Sequence, residues 1–286
     1  MKIIELDNVG VTYPNGHVAL AGVTGDLCTG TICGLVGVNG AGKSTLFKAI
    51  MGFVKPDVGT VSIAGLSVRR ALKKNLVSYV PQTEDVDWNF PVLVEDVVMM
   101  GRYGHMNFMR RPSRADYRAV DDALDRVGMH GHKKRQIGEL SGGQRKRVFV
   151  ARALAQGGQI MLLDEPFTGV DIRTEESLVA LFRSLARQDR LILVSTHNLG
   201  SVPSFCDEVM LINQSLFAHG PVETQFTQSN LVKTFGSFLR HHRIVGTDLH
   251  EDEDRRSVTV LTDDERPLVL YGEKDGQKIT KHGNAE

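Results

Sequence analysis

The chain opens on an alternation of apolar and polar residues. Ile4 and Leu6, then Val9, Val11 and Tyr13, keep a period of two, and Pro14-Asn15-Gly16 is the turn signal behind them. A second strand is predicted over 18–23. A third, over 31–36, runs straight into a glycine-rich stretch. Beyond the glycines Leu46, Phe47, Ile50 and Met51 recur at helical spacing, with Gly52 as the stop. A strand over 77–80 follows.

From about residue 83 to 157 the pattern is less regular and helix-rich. Ser113-Arg-Ala-Asp116 reads as a capping box. Behind it Tyr117, Val120, Leu124 and Val127 form one helical stripe, read as core packing and ended by Gly128. Strand and helix then alternate: a strand over 159–163, a helix through Leu178, Leu181, Phe182 and Leu185, a strand over 191–195, a short helix, and a strand over 208–212. Near-continuous apolar strands mark a sheet covered on both faces, hence an α/β fold with parallel strands. The chain shows no internal repeats.

The character changes near residue 236. Arg240-His241-His242-Arg243 and His250-Glu-Asp-Glu-Asp254 are polar. The runs 258–261 and 268–271 flank turn residues and predict a hairpin, so 236–286 reads as a small extension with a flexible tail.

Composition narrows the partners. Lys+Arg and Asp+Glu are equal at 34 each among 286 residues, so no overall basic field favours nucleic acid. Cys28, Cys33 and Cys206 have no metal-site spacing and read as small buried hydrophobes in a reducing compartment. The first residues carry charge too early for a signal peptide. No apolar run reaches the roughly 18 residues of a membrane span. A membrane role is therefore expected to come through a partner.

Three motifs carry chemistry. Gly37-Val-Asn39-Gly40-Ala-Gly42-Lys43-Ser44-Thr45 fits the phosphate loop, with the strand before it and the helix after it that the motif requires. Successive N–H groups and a helix N-terminus make a concave anion site. Lys43 is expected on the β- and γ-phosphates of a nucleoside triphosphate, and Ser44 on Mg²⁺. The strand before Asp164-Glu165 ends in adjacent carboxylates. Asp164 can hold the magnesium or its waters, and Glu165 can polarise an attacking water. Leu140-Ser141-Gly142-Gly143-Gln144 precedes a helix through Val148, Ala151, Leu154 and Ala155, which makes a second anion site.

The order of Gly37–Ser44, Gln82, Leu140–Gln144, Asp164-Glu165, Asp171 and His197 resembles the ATP-binding-cassette ATPases. The resemblance covers about residues 1–235, and the pentapeptide at 140–144 is specific to that family. It implies a phosphate-loop NTPase with a mainly parallel core sheet, an N-terminal antiparallel β subdomain and a helical subdomain over about 83–157. It also implies a homodimer that sandwiches two ATP, each between one subunit's phosphate loop and the other's Ser141, Gly142, Gly143 and Gln144. By the same resemblance Tyr13 stacks on adenine, and Gln82 touches magnesium and senses the γ-phosphate. Asp171 acts across the dimer, although Thr168-Gly169-Val170-Asp171 departs from the commoner Ser-Ala-Leu-Asp. His197 holds the γ-phosphate and the water.

The segment from Trp88 through Phe90 to Gly104, and the stretch Glu165–Asp171, resemble the ATPases of bacterial manganese, iron and zinc importers, the Sit/Yfe type. That implies an ATPase on the cytoplasmic face of the inner membrane, a multi-span permease, and a periplasmic or surface metal-binding protein. Trp88 and Phe90 could equally be ordinary core. The tail histidines match no metal template. Other readings are a siderophore or haem importer, a soluble cassette protein of DNA repair or translation, and a degenerate nucleotide-binding scaffold.

Overall fold

In the computed structural model residues 1–82 and 90–236 are described in full, and 240–245, 256–262, 268–273 and 276–278 as backbone strands. The chain begins with strands β1 (Lys2–Thr12), β2 (Val18–Cys28) and β3 (Ile32–Val36), helix α1 (Lys43–Ile50), β4 (Val58–Ile63), β5 (Leu66–Ser67), α2 (Val68–Lys73) and β6 (Val77–Val80). Helices α3 (Val94–Met100), α4 (Arg114–Arg126) and α5 (Gly142–Gln156) follow. Then come β7 (Ile160–Asp164), α6 (Ile172–Ala186), β8 (Leu191–Thr196), α7 (Val202–Phe205), β9 (Glu208–Asn213), β10 (Ser215–Pro221), α8 (Val222–Gln225) and α9 (Gln228–Phe235). The last strands are β11 (Arg240–Val245), β12 (Arg256–Thr262), β13 (Leu268–Glu273) and β14 (Gly276–Lys278).

The central sheet has six strands in the order β10-β9-β3-β8-β7-β6. All its pairings are parallel except β9 with β10. Its apolar strands alternate between two cores, because successive side chains leave a strand on opposite faces. Met161 and Leu163 of β7 join a core with Val148, Leu178 and Phe182 of the helices. Ile160 and Leu162 join the other, with Leu46 and Phe47 of α1 and Ile4, Leu6 and Val9 of β1. That second cover is a four-stranded antiparallel sheet in the order β2-β1-β4-β5. The α/β class with a mainly parallel core and an N-terminal antiparallel part is therefore observed. In the extension β11-β12-β13-β14 form a further four-stranded sheet, and β12 sets Val258 opposite Tyr271 of β13.

One expectation needs correcting. Tyr117 does not belong to the buried stripe of α4: it is 54% exposed, whereas Val120, Leu124 and Val127 are buried. The inward position of the first turn belongs to Asp116, one residue earlier and about 100° around the helix. Ser113 caps α4 in a true capping box with Asp116. Arg102 Nε donates to Asp116 Oδ1 at 2.9 Å, and the Ser113 N–H and hydroxyl donate to Oδ2 at 2.9 and 2.7 Å. The Ser113 hydroxyl first, then the Ser113 N–H and Arg102, hold this carboxyl at about 2 against an ordinary 3.8. A depressed folded value means the contribution is complete above the ordinary aspartate range and is lost as pH falls through about 2. Asp116→Asn is expected to cost about 1–2 kcal/mol at neutral pH, a gap that closes in acid. Urea unfolding over a pH series measures it, and a gap that stays constant into acid contradicts the assignment.

Among the described residues no helix is long and apolar enough to cross a membrane. Cys33 and Cys206 are buried, and Cys28, the last residue of β2, is half-buried.

Candidate active site

Parallel pairing brings four chain segments to one edge of the sheet. Val36 at the end of β3 lies opposite Thr196 of β8, Asp164 of β7 opposite Ser195, and Val80 of β6 opposite Leu163. Gly37, Gln82, Glu165 and His197 each follow one of these strand ends. A site at the carboxyl ends of parallel strands follows from this topology.

The loop from Gly37 to Gly42 turns back tightly over the sheet. A Cβ on Gly37 would lie 2.1 Å from the Ile212 carbonyl oxygen. Gly42, at φ 96°, starts α1, and a Cβ there would lie 2.4 Å from the Ala19 carbonyl oxygen. No side chain caps α1, so its first N–H groups serve the cleft as anion donors. Lys43 is buried, and its Nζ donates to the Gly37 and Val38 carbonyls at 2.7 and 3.1 Å. Gly42→Ala is expected to cost about 2–4 kcal/mol, from the left-handed backbone and the clash together. It should weaken nucleotide binding as well. An unchanged urea midpoint would contradict this close approach.

Asp164 and Glu165 are both buried. A buried carboxylate is costly unless hydrogen-bonded. For Asp164 the donors are hydroxyls. Oδ2 accepts from Ser44 Oγ at 3.2 Å and from the Tyr79 hydroxyl at 3.5 Å, and Oδ1 accepts from Ser195 Oγ. Burial first, then the charge of Asp164, pushes the Tyr79 phenol up to about 12. Glu165 Oε1 accepts from His197 Nδ1 at 2.9 Å. Its Oε2 accepts from Gln82 Nε2 at 2.8 Å and Thr168 Oγ1 at 3.3 Å. Glu165 sits at φ 49°, a left-handed conformation that costs a non-glycine residue about 1–3 kcal/mol.

Glu165, with Ser44 and Gln82, borders an open cleft of about 260 Å³. Tyr13, Asn39, Gly40, Gly42, Lys43, Ser44, Thr45, Gln82 and Glu165 line it. The Tyr13 hydroxyl lies 3.2 Å from Thr45 Oγ1, which ties the aromatic to α1. His17 and Ala19 also line the cleft, and motif reading missed them. Their only signal is their place just after the Pro14–Gly16 turn.

The Ser141–Gln144 segment does not line this cleft. Ser141 caps α5: its hydroxyl accepts from the Gln144 N–H at 3.3 Å, and its own N–H donates to Gln144 Oε1 at 3.0 Å. The serine is therefore committed to its helix as acceptor, with one hydroxyl hydrogen left to donate. Asp171 likewise caps α6, accepting from the Thr174 N–H and hydroxyl, both at 2.9 Å. The Thr174 N–H first, then its hydroxyl, hold the Asp171 carboxyl below the usual aspartate range. Its Oδ2 stands 3.9 Å from where a Gly143 Cβ would be, so loop and pentapeptide are neighbours within one chain. Phe90 is 63% exposed and is not core, and Trp88 lies outside the described residues. The same holds for His250, and His241 and His242 lie in β11, which is described by backbone alone.

Comparisons with known proteins agree with this geometry. A family profile described as ABC transporter matches residues 20–168. The chelated iron transport system membrane protein YfeB of Yersinia pestis is 64% identical over 269 residues, 94% of this chain and 91% of that protein. The manganese transport system ATP-binding protein MntA of a Synechocystis species is 55% identical over 233 residues, 82% of this chain and 90% of that one. A solved structure of a metal-chelate type ABC transporter, in an inward-facing conformation, aligns with a TM-score of 0.74 at 26% identity. It covers 94% of this chain and 98% of its own.

Proposed function

The chain belongs to the ATP-binding-cassette ATPases of ABC transporters, and from that premise we propose that it is the ATP-hydrolysing subunit of a bacterial importer of divalent metal, manganese or iron in the first place and zinc beside them. The single observation behind the hydrolytic role is the Glu165 carboxylate, held by His197, Gln82 and Thr168 at the rim of the phosphate cleft. Glu165 accepts the proton of the attacking water, whose oxygen bonds to the γ-phosphorus while the bond to the β-phosphate oxygen breaks. Lys43 and the N-terminal amides of α1 stabilise the charge that builds on the phosphates. Tyr13 takes the adenine, and Asn39, Gly40 and Thr45 border the phosphates.

The residues present suit magnesium. Ser44 Oγ and Asp164 Oδ2 are 3.2 Å apart, and the Gln82 amide, whose nitrogen donates to Glu165, can offer its oxygen as a ligand. These are the hard oxygen ligands that the ion prefers. When bound, Mg²⁺ neutralises the β- and γ-phosphate charge.

Within the pentapeptide Ser141 and Gly142 are exposed and Gly143 and Gln144 half-buried, and none of them lines its own chain's cleft. A two-fold pair would carry each Ser141–Gln144 to the other chain's phosphate loop, closing two ATP sites, with Asp171 beside that contact. The subunit would sit at the cytoplasmic face of the inner membrane against a separate permease, which takes its metal from a periplasmic or surface binding protein. Exposed Phe90, Tyr103, Phe108 and Met109 support a contact with that permease.

The cargo is tested by uptake. A strain lacking this chain, given labelled manganese, iron and zinc separately, is expected to lose manganese or iron uptake tenfold or more, and the wild-type chain should restore it. Unchanged uptake of all three metals, with haem or siderophore uptake lost instead, would overturn the metal assignment.

A further inference from the structure

Ser195 lies opposite Asp164 in the β7–β8 ladder and is fully buried. Its hydroxyl is committed to the two carboxylate residues beside it. The oxygen accepts from the Glu165 N–H at 3.1 Å. A carboxylate can only accept, so the one hydroxyl hydrogen goes to Asp164 Oδ1. On the other side the Tyr79 hydroxyl reaches Oδ2 at 3.5 Å.

The terminal torsion of an aspartate is soft, so a carboxylate swings unless both oxygens are held. Here Oδ1 is held by the buried Ser195 hydroxyl and Oδ2 meets the half-buried Tyr79 hydroxyl, and Oδ2 is left 3.2 Å from Ser44 Oγ. We infer that Ser195 is a positioning residue for the nucleotide's magnesium: by holding Asp164 Oδ1 it keeps Oδ2 turned towards Ser44, where the ion is to be bound. This rests on the assignment of Asp164 and Ser44 to magnesium in the proposed function.

A purely structural serine would act on the turn itself. That turn has a second tether, because the Glu165 N–H also donates to the Ser195 carbonyl oxygen at 3.2 Å. Removing the hydroxyl therefore leaves the backbone anchored and frees the carboxylate. Outer-shell partners of this kind typically change metal affinity by about 10–100-fold.

The test uses the full chain and a fluorescent ATP analogue, bound in EDTA and across a Mg²⁺ titration. Ser195→Ala is expected to raise half-saturating Mg²⁺ by about 10-fold or more, with affinity in EDTA within about twofold of wild type. Where the alanine variant is not soluble, Ser195→Cys keeps the shape with a far weaker donor and carries the same expectation. An unchanged Mg²⁺ requirement, or equal losses with and without Mg²⁺, overturns the inference. Asp164→Asn separates the two levels. If it shifts the Mg²⁺ requirement and Ser195→Ala does not, only the positioning role fails. If neither shifts it, the magnesium assignment fails first and the positioning role with it.

Discussion

Glu165→Gln is expected to cut ATP turnover by roughly 10²–10⁴-fold, the usual range for a removed general base, while leaving ATP binding within a few fold of wild type. The amide has almost the shape of the carboxylate but cannot take the water's proton. It also has only one acceptor end. In the native site Oε1 accepts from His197 and Oε2 from Gln82 and Thr168, so one of these contacts must reorient. The phosphate loop and α1 are untouched, because Glu165 meets them only across the cleft. With hydrolysis blocked, ATP should hold the chains together, and size-exclusion chromatography with ATP and Mg²⁺ should show a dimer that ADP does not support. Turnover within about tenfold of wild type would remove Glu165 from the catalytic role and leave the proposed mechanism without its base.

Lys43→Ala should act one step earlier, on binding. The ammonium now holds the Gly37 and Val38 carbonyls, the two that open the phosphate loop. In the proposed nucleotide complex it is expected to move onto the β- and γ-phosphates. Losing one or two charge-assisted hydrogen bonds to phosphate corresponds to about 2–5 kcal/mol, or roughly 30- to 4,000-fold in Kd. Titration calorimetry with ATP measures this directly. The apo protein should also melt earlier, since the loop loses two tethers to a buried group. Lys43→Arg is not expected to rescue binding, because a planar fork does not fit where a compact ammonium bonds two successive carbonyls. A Kd within threefold of wild type would contradict the phosphate-loop reading.

The two expectations differ in how far they could be reached from residue types. Lys43 belongs to a motif whose spacing is itself the mechanism: glycines for a tight turn, a helix start, then the lysine. Glu165 is a carboxylate after an apolar strand, and its three partners lie 83, 3 and 32 residues away in the chain. The resemblance put Gln82 and His197 at the γ-phosphate, but their joint hold on Glu165 appears only when β6, β7 and β8 are side by side. The stripe on α4 shows the same limit at smaller scale. Helical spacing found Val120, Leu124 and Val127, yet the neighbouring Arg102 drew Asp116 inward and left Tyr117 outside. Strands β4 and β10 gave no clear period, since much of each faces solvent or sits half-buried.

By itself the sequence determined the α/β class, the phosphate loop and the helix cap at Ser113, whereas the cap at Ser141 appeared only in the structure. The first three are local matters, settled by hydrophobic period, by glycine's freedom at positive φ and by amides that need a cap within three residues. Tertiary structure alone decided which strand ends meet, and with them the hydroxyls on Asp164 and the place of His17 in the cleft. It also decided that Ser141–Gln144 stands away from its own chain's phosphate loop. Strand register is set by burial summed over both cores, and no short segment carries that sum.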